Sequence, residues 1–226
     1  NNHDQPRALN RFVDVKNFHT EGATMLAAAI HLSRGTPYIY MGEEIGMVDP
    51  DFDSMADYVD VESINAYQEL LAAGKSEREA FAIIQAKSRD NSRTPMQWDA
   101  SENAGFTTGT PWLKAGKTYK EINVENEKFG KIFRFYQDLI QLRKALPLIA
   151  EGDYKAAYQD SDNVYAFERQ LDNQKLLVLN NFFPEEVTIQ LPANYQTGKV
   201  LISNYDGVEL TENLVLQPYQ TVAIEL

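Results

Sequence analysis

Three motifs and one acidic segment of this chain hold the side chains on which chemistry can be built. Asn2-His3-Asp4 sets an imidazole beside a carboxylate, and Pro6-Arg7 follows at once. A histidine next to an acid can donate and accept on one ligand, although an Asx-type turn carrying a surface histidine would produce the same three residues. Residues 35–47 read Gly-Thr-Pro-Tyr-Ile-Tyr-Met-Gly-Glu-Glu-Ile-Gly-Met. The adjacent Glu43 and Glu44 invite an acid–base pair, but neighbours at a strand exit point to opposite sides, which assigns both to structure. Residues 89–99 read Arg-Asp-Asn-Ser-Arg-Thr-Pro-Met-Gln-Trp-Asp and bring two arginines. A planar guanidinium holds a hydroxyl and a neighbouring carboxylate together, or it anchors a loop through an ion pair. Either role is open to Arg89 and to Arg93 on the residues alone. Glu62, in Asp57-Tyr58-Val59-Asp60-Val61-Glu62-Ser63, is either a ligand carboxylate or a helix-start acid favoured by the macrodipole. His19 and His31 lie on or before a helix and read as structural.

These side chains need elements to hold them. Thr20 caps a predicted helix through Ser33, with Met25, Leu26, Ala29 and Ile30 at helical spacing and Gly35 at its C′ position. A strand over 37–40 follows, and the helix–loop–strand order is half of an α/β repeat with a parallel sheet. Helices are expected near 63–73 and, after the capping box Ser76 to Glu79, through about 86. Residues 89–130 show no sustained period, and so long an irregular stretch is usually functional. Helical periodicity returns at 131–146, with Ile132, Phe135, Tyr136, Leu139 and Ile140 on one face and Pro147 as the stop. From about 151, short alternating runs at 154–158, 164–168, 176–179, 187–191, 200–202 and 221–226 predict an antiparallel β domain. The expected division is 1–150 and 151–226.

Composition narrows the classes. The 226 residues are 43% hydrophobic and 24% charged, a globular balance that excludes collagen-like, disordered and disulfide-scaffold chains. Lys plus Arg number 21 against 33 Asp plus Glu, a net charge of −12, which argues against tracking a nucleic-acid backbone. No cysteine is present, so no disulfide, thiolate zinc site or cysteine nucleophile exists, in keeping with a cytoplasmic, reducing location. No apolar run approaches the roughly 18 residues of a membrane span, and no membrane partner is expected. The first residues carry neither an initiator Met nor a signal-peptide pattern, so the chain is expected to begin inside a larger protein.

Taken together, Asn2-His3-Asp4, residues 35–47 and residues 89–99 resemble the α-amylase superfamily of glycoside hydrolases, in its oligo-1,6-glucosidase, dextran glucosidase and trehalose-6-phosphate hydrolase branch. The likeness runs over nearly the whole chain. It implies an α/β fold, the C-terminal portion of a (β/α)8 TIM barrel followed by an antiparallel β-sandwich. Asn-His-Asp then closes the seventh strand, residues 35–44 supply the eighth strand and its exit loop, and 131–146 ends the barrel. Met41 departs from the glutamine expected of most relatives.

In such barrels the C-terminal strand ends face the active site. The resemblance makes Asp4 the carboxylate that grips the sugar's hydroxyls as the ring flattens in the transition state, with His3 donating to the same sugar. It implies Arg89 at the non-reducing-end subsite, Glu62 as an acid that receives the leaving sugar, and Gln5 and Arg7 flanking the pocket. No cofactor or metal ligand is implied among these residues. The nucleophile and the acid/base would lie upstream of Asn1, so the expected function is the C-terminal part of a retaining, exo-acting α-glucosidase, inactive alone. Its partners would be a small oligosaccharide or disaccharide and the upstream part of the same barrel. Two rivals are a non-catalytic amylase-like interaction protein, which tends to lose these site residues, and a free carbohydrate-binding β domain, which leaves 1–146 unexplained.

Overall fold

The computed structural model describes residues 1–226. The helices are α1 (Ala8–Phe12), α2 (Val15–His31), α3 (Val61–Ala72), α4 (Glu77–Lys87), α5 (Val124–Glu127), α6 (Lys131–Ala145) and α7 (Pro147–Glu151). The strands are β1 (Asp153–Ala157), β2 (Val164–Leu171), β3 (Gln174–Asn181), β4 (Val187–Gln190), β5 (Lys199–Ser203), β6 (Asn213–Leu216) and β7 (Thr221–Glu225). Two compact units emerge, one of Asn1–Arg11 with Ile39–Gly130 and one of Phe12–Tyr38 with Lys131–Leu226.

In the first unit, α4 starts where the sequence places it. Ser76 Oγ accepts from Glu79 N, and the Glu79 carboxylate accepts from Ser76 N at 2.9 Å, satisfying donors that a helix start leaves open. Gly42, at φ 87°, turns the chain back on itself, and a Cβ there would collide with the Met47 side chain. The long segment after α4 is built from single turns at Arg89–Ser92, Glu102–Gly105 and Lys117–Lys120 and the short α5.

In the second unit, α2 begins five residues before the expected cap, and non-helical dihedrals at Phe18 break it. Its cap is Leu32, not a residue that sets Gly35 at C′. The exposed carbonyls past its end are taken by Arg143 of α6, whose Nη1 donates to His31 O at 2.9 Å and Ser33 O at 2.8 Å. Pro147 ends α6 and, with no N–H to satisfy, opens α7.

The β domain is a sandwich. A five-stranded antiparallel sheet in the order β1-β2-β3-β7-β5 lies over a two-stranded sheet of β4 and β6. Leu177, Leu179, Val222 and Ile224 of the larger sheet meet Ile189, Leu214 and Leu216 of the smaller one in a common core. The opposite face of the larger sheet packs against α2 and α7. Burial on both faces makes β3 a continuous apolar run where alternation was expected. β6 was not anticipated; Asn213–Leu216 takes strand form in its antiparallel ladder with β4.

One expected element does not form. Residues 37–40 join no ladder, and no parallel sheet is present. A strand exists only against a neighbour, and Tyr38 is left 82% exposed.

Leu179 is fully buried on the central strand, so Leu179→Ala should cost about 2–5 kcal/mol. Ser76→Ala, which loses one exposed cap, should cost about 1 kcal/mol. Denaturation midpoints of the two variants should fall in that order, and equal midpoints would contradict it.

Candidate active site

All of the charged site residues fall within the first unit. The tip at 2–4 is an Asx turn, Asp4 N donating to Asn2 Oδ1 at 2.8 Å. That turn does not end on a bland surface. Asp4 Oδ1 lies 3.2 Å from Arg93 Nη2 and 3.8 Å from Arg89 Nη1, while Oδ2 lies 3.3 Å from His3 Nε2. The His3 and Asp4 side chains are about half exposed or more, open to a ligand.

Behind Asp4 sits a carboxylate that the sequence reading passed over. Asp60 receives Arg89 through two parallel bonds, Nη2 to Oδ1 at 2.7 Å and Nε to Oδ2 at 3.1 Å, the fork geometry that makes such pairs strong. Arg93 Nη1 donates to the same Oδ1 at 3.4 Å. Burial pushes the Asp60 carboxyl up, but the Arg89 bonds and charge and then the Arg93 charge outweigh it and hold the group below the usual carboxylate range. The bonds from Asp60 in turn push the Arg89 guanidinium up. Glu62 Oε2, well exposed, reaches Arg89 Nη2 at 3.2 Å.

Asp90 fixes this layer. Its Oδ2 accepts Val59 N and Asp60 N, both at 2.8 Å, and its Oδ1 lies 3.5 Å from Arg93 Nη1. Arg93 Nε also donates to His3 O at 2.8 Å. Arg93 therefore anchors the loop, and it also touches Asp4 more closely than Arg89 does. The motif at 35–47 joins through Tyr40, whose hydroxyl donates to Ser92 O at 2.9 Å, and the Ser92 hydroxyl donates to Gln5 O.

His3, Asp4, Arg89 and Glu62 are thus brought together. Gln5 is not joined by its side chain, since Oε1 accepts from Arg11 Nη1 at 2.9 Å. Arg7 is buried, with Nη1 donating to Met41 O at 2.9 Å and its backbone N to Asp49 Oδ1 at 2.9 Å. The contact to Met41 is through backbone, so the departure at that position leaves it intact. Glu44 accepts from Gly42 N and Glu43 from Asn1 Nδ2, the structural tasks foreseen for them.

A family model for the alpha amylase catalytic domain matches residues 1–152, and one for the alpha-amylase SusG C-terminal domain matches 164–223. The chain belongs to the alpha-amylase family. It is 45% identical to a trehalose-6-phosphate hydrolase of Bacillus subtilis over all of this chain and 41% of that protein. It is 46% identical to an oligo-1,6-glucosidase of Parageobacillus thermoglucosidasius over 97% of this chain and 40% of the relative. The crystal structure of a Bacillus licheniformis trehalose-6-phosphate hydrolase superposes with a TM-score of 0.94 at 46% identity, covering all of this chain and 42% of that one. The chain thus spans about two fifths of the length of the relatives it matches, and its fold is that of part of an alpha-amylase-family barrel enzyme with its C-terminal β-sandwich. No helix of this family member is long and apolar enough to cross a membrane.

Burial pushes Asp49, which holds the loop after Asp4, from the usual 3.8 to about 6. The folded chain then binds this proton where the unfolded chain does not, so stability should fall as pH rises from about 4 to 6, by at most about 3 kcal/mol. Asp60 acts oppositely, its contribution being lost as pH falls through its lowered value. Asp49→Asn should flatten the decline between pH 4 and 6 in stability measurements; an unchanged slope would contradict this origin.

Proposed function

We propose that this chain is the C-terminal part of a retaining, exo-acting α-glucosidase acting on short α-glucosides, such as α-1,6-linked oligosaccharides like isomaltose, or trehalose 6-phosphate. Residues 1–150 would complete the catalytic barrel and 151–226 form its β domain. The observation that carries the reading is Asp4, exposed, with both arginines at Oδ1 and only His3 at Oδ2. One oxygen of that carboxylate is left to take sugar hydroxyls. In an oxocarbenium-like transition state the ring flattens, and bonds from Asp4 that strengthen only then would raise turnover. His3 donates to the same sugar, and Glu62, exposed and paired with Arg89, is the acid that would receive the leaving sugar. Gln5 would border the pocket through its backbone.

Double displacement also needs a nucleophile and an acid/base about 5–5.5 Å apart. In this proposal both come from the upstream part of the barrel, and residues 1–226 alone do not hydrolyse. The bare edge at 37–40, with Ile39 42% exposed beside Tyr38, supports an upstream neighbour there. A cytoplasmic location belongs to the same proposal. A non-catalytic interaction protein would have no use for an exposed carboxylate clamped by two guanidiniums.

In the full-length enzyme, Asp4→Asn should lower kcat at least about a thousandfold, the scale of removing an electrostatic stabiliser, without loss of folding stability. Near-normal kcat would end this assignment. Arg89→Lys should impair KM and kcat with little change in Tm, because a lysine has no fork. Arg93→Lys should lower Tm as well, since Arg93 also holds the 2–4 turn. If only the Arg89 variant melts early, the two roles are exchanged.

A further inference from the structure

Asp60 stands at the N-terminal boundary of α3, where a carboxylate usually spends its oxygens on helix N–H groups, yet its side chain makes no capping hydrogen bond. Its side chain is only 5% exposed, out of reach of a substrate. Both oxygens meet guanidiniums, Oδ1 being shared by Arg89 and Arg93, while Oδ2 also takes a longer contact from Ser63 Oγ at 3.4 Å. Each arginine is thereby left with one terminal nitrogen aimed at Asp4, Nη1 from Arg89 and Nη2 from Arg93. Two like charges this close repel strongly in partly dry surroundings unless an anion lies between them. Asp60 is itself held by its backbone bond to Asp90, and Ser63 Oγ, donating to Ser88 Oγ at 2.7 Å, ties the start of α3 to the 88–93 turn.

We propose that Asp60 is a positioning residue for the reaction: by bridging Arg89 and Arg93 it sets the reach of both to Asp4, although it touches no substrate. This rests on the reading of Asp4 as the transition-state carboxylate. Residues in contact couple, so the loss on changing Asp60 should shrink once Arg93 is altered, and a fall in kcat with Tm and KM nearly unchanged marks positioning as distinct from a merely structural role.

Asp60→Asn in the full-length enzyme keeps the shape and removes the bridging charge. We expect kcat to fall about a hundredfold, the scale of a 1 Å misplacement, with KM changed far less. In an Arg93→Lys background the same substitution should cost less than about tenfold further. Asp60→Glu restores the charge but moves the carboxylate by one methylene, and should keep Tm without recovering kcat. Wild-type kcat in either Asp60 variant, or a fully additive loss in the Arg93→Lys background, would overturn the positioning role. If Asp60→Asn turns over normally while Asp4→Asn is inactive, only this inference fails. If Asp4→Asn turns over normally, the reading of Asp4 fails first.

Discussion

Two guanidinium groups converge on one carboxylate oxygen, and the ion cluster of the candidate site is built around that anion. Arg89 and Arg93 both meet Asp60 Oδ1. Remove that anion and the two cations have only the exposed Asp4 and Glu62 and the edge of Asp90 to separate them. Charges in water adjust to such a loss, but at a half-buried site the field is less screened and the side chains must move instead. The direction of the Asp60 shift expresses the same balance: burial works against the anion, and the arginines win.

Around that ion cluster the chain folds three remote segments into one place. The 88–93 turn is the hub. Ser88 and Asp90 fix the start of α3, Ser92 takes hold of Gln5 O and receives Tyr40, and Arg93 holds His3 O. Hydrogen bonds to backbone define where a loop lies more tightly than bonds between flexible side-chain tips, because the backbone has fewer ways to yield. The Asx turn and the functional reading of residues 2–4 are therefore not alternatives. The turn makes the shape, and the arginines meet the carboxylate that it presents.

Features encoded within a few neighbouring residues were legible in the sequence. The capping box at Ser76, the apolar stripe of α6 and the paired strands at 164–181 depend on near neighbours and formed as expected. The family resemblance was legible too, since it rests on long runs of residues. What failed needed information from elsewhere in space. The expected strand at 37–40 has no ladder partner, and the β3 run lost its alternation because helices cover its second face. Asp60 looked like one more acid in an acidic segment, since nothing within ten residues reveals two arginines thirty positions away. Gln5 was placed by adjacency to Asp4, but adjacent side chains diverge, and its amide found Arg11.

The charge balance of the cluster has one more consequence for the proposed chemistry. Asp4, Asp60, Glu62 and Asp90 face two arginines, with His3 beside them, so the cluster keeps an excess of anionic groups. An oxocarbenium-like sugar is electron-poor, and an anionic surface stabilises it more than it stabilises the neutral ground state. The arginines therefore serve best as holders of geometry and not as neutralisers. Asp60 supports that division, because it occupies the broad edge of Arg89 and a corner of Arg93 and leaves each with a single nitrogen for Asp4. A site with the arginines unbridged would present their forks to Asp4, tie up both of its oxygens and lose the free lone pairs that a sugar hydroxyl needs.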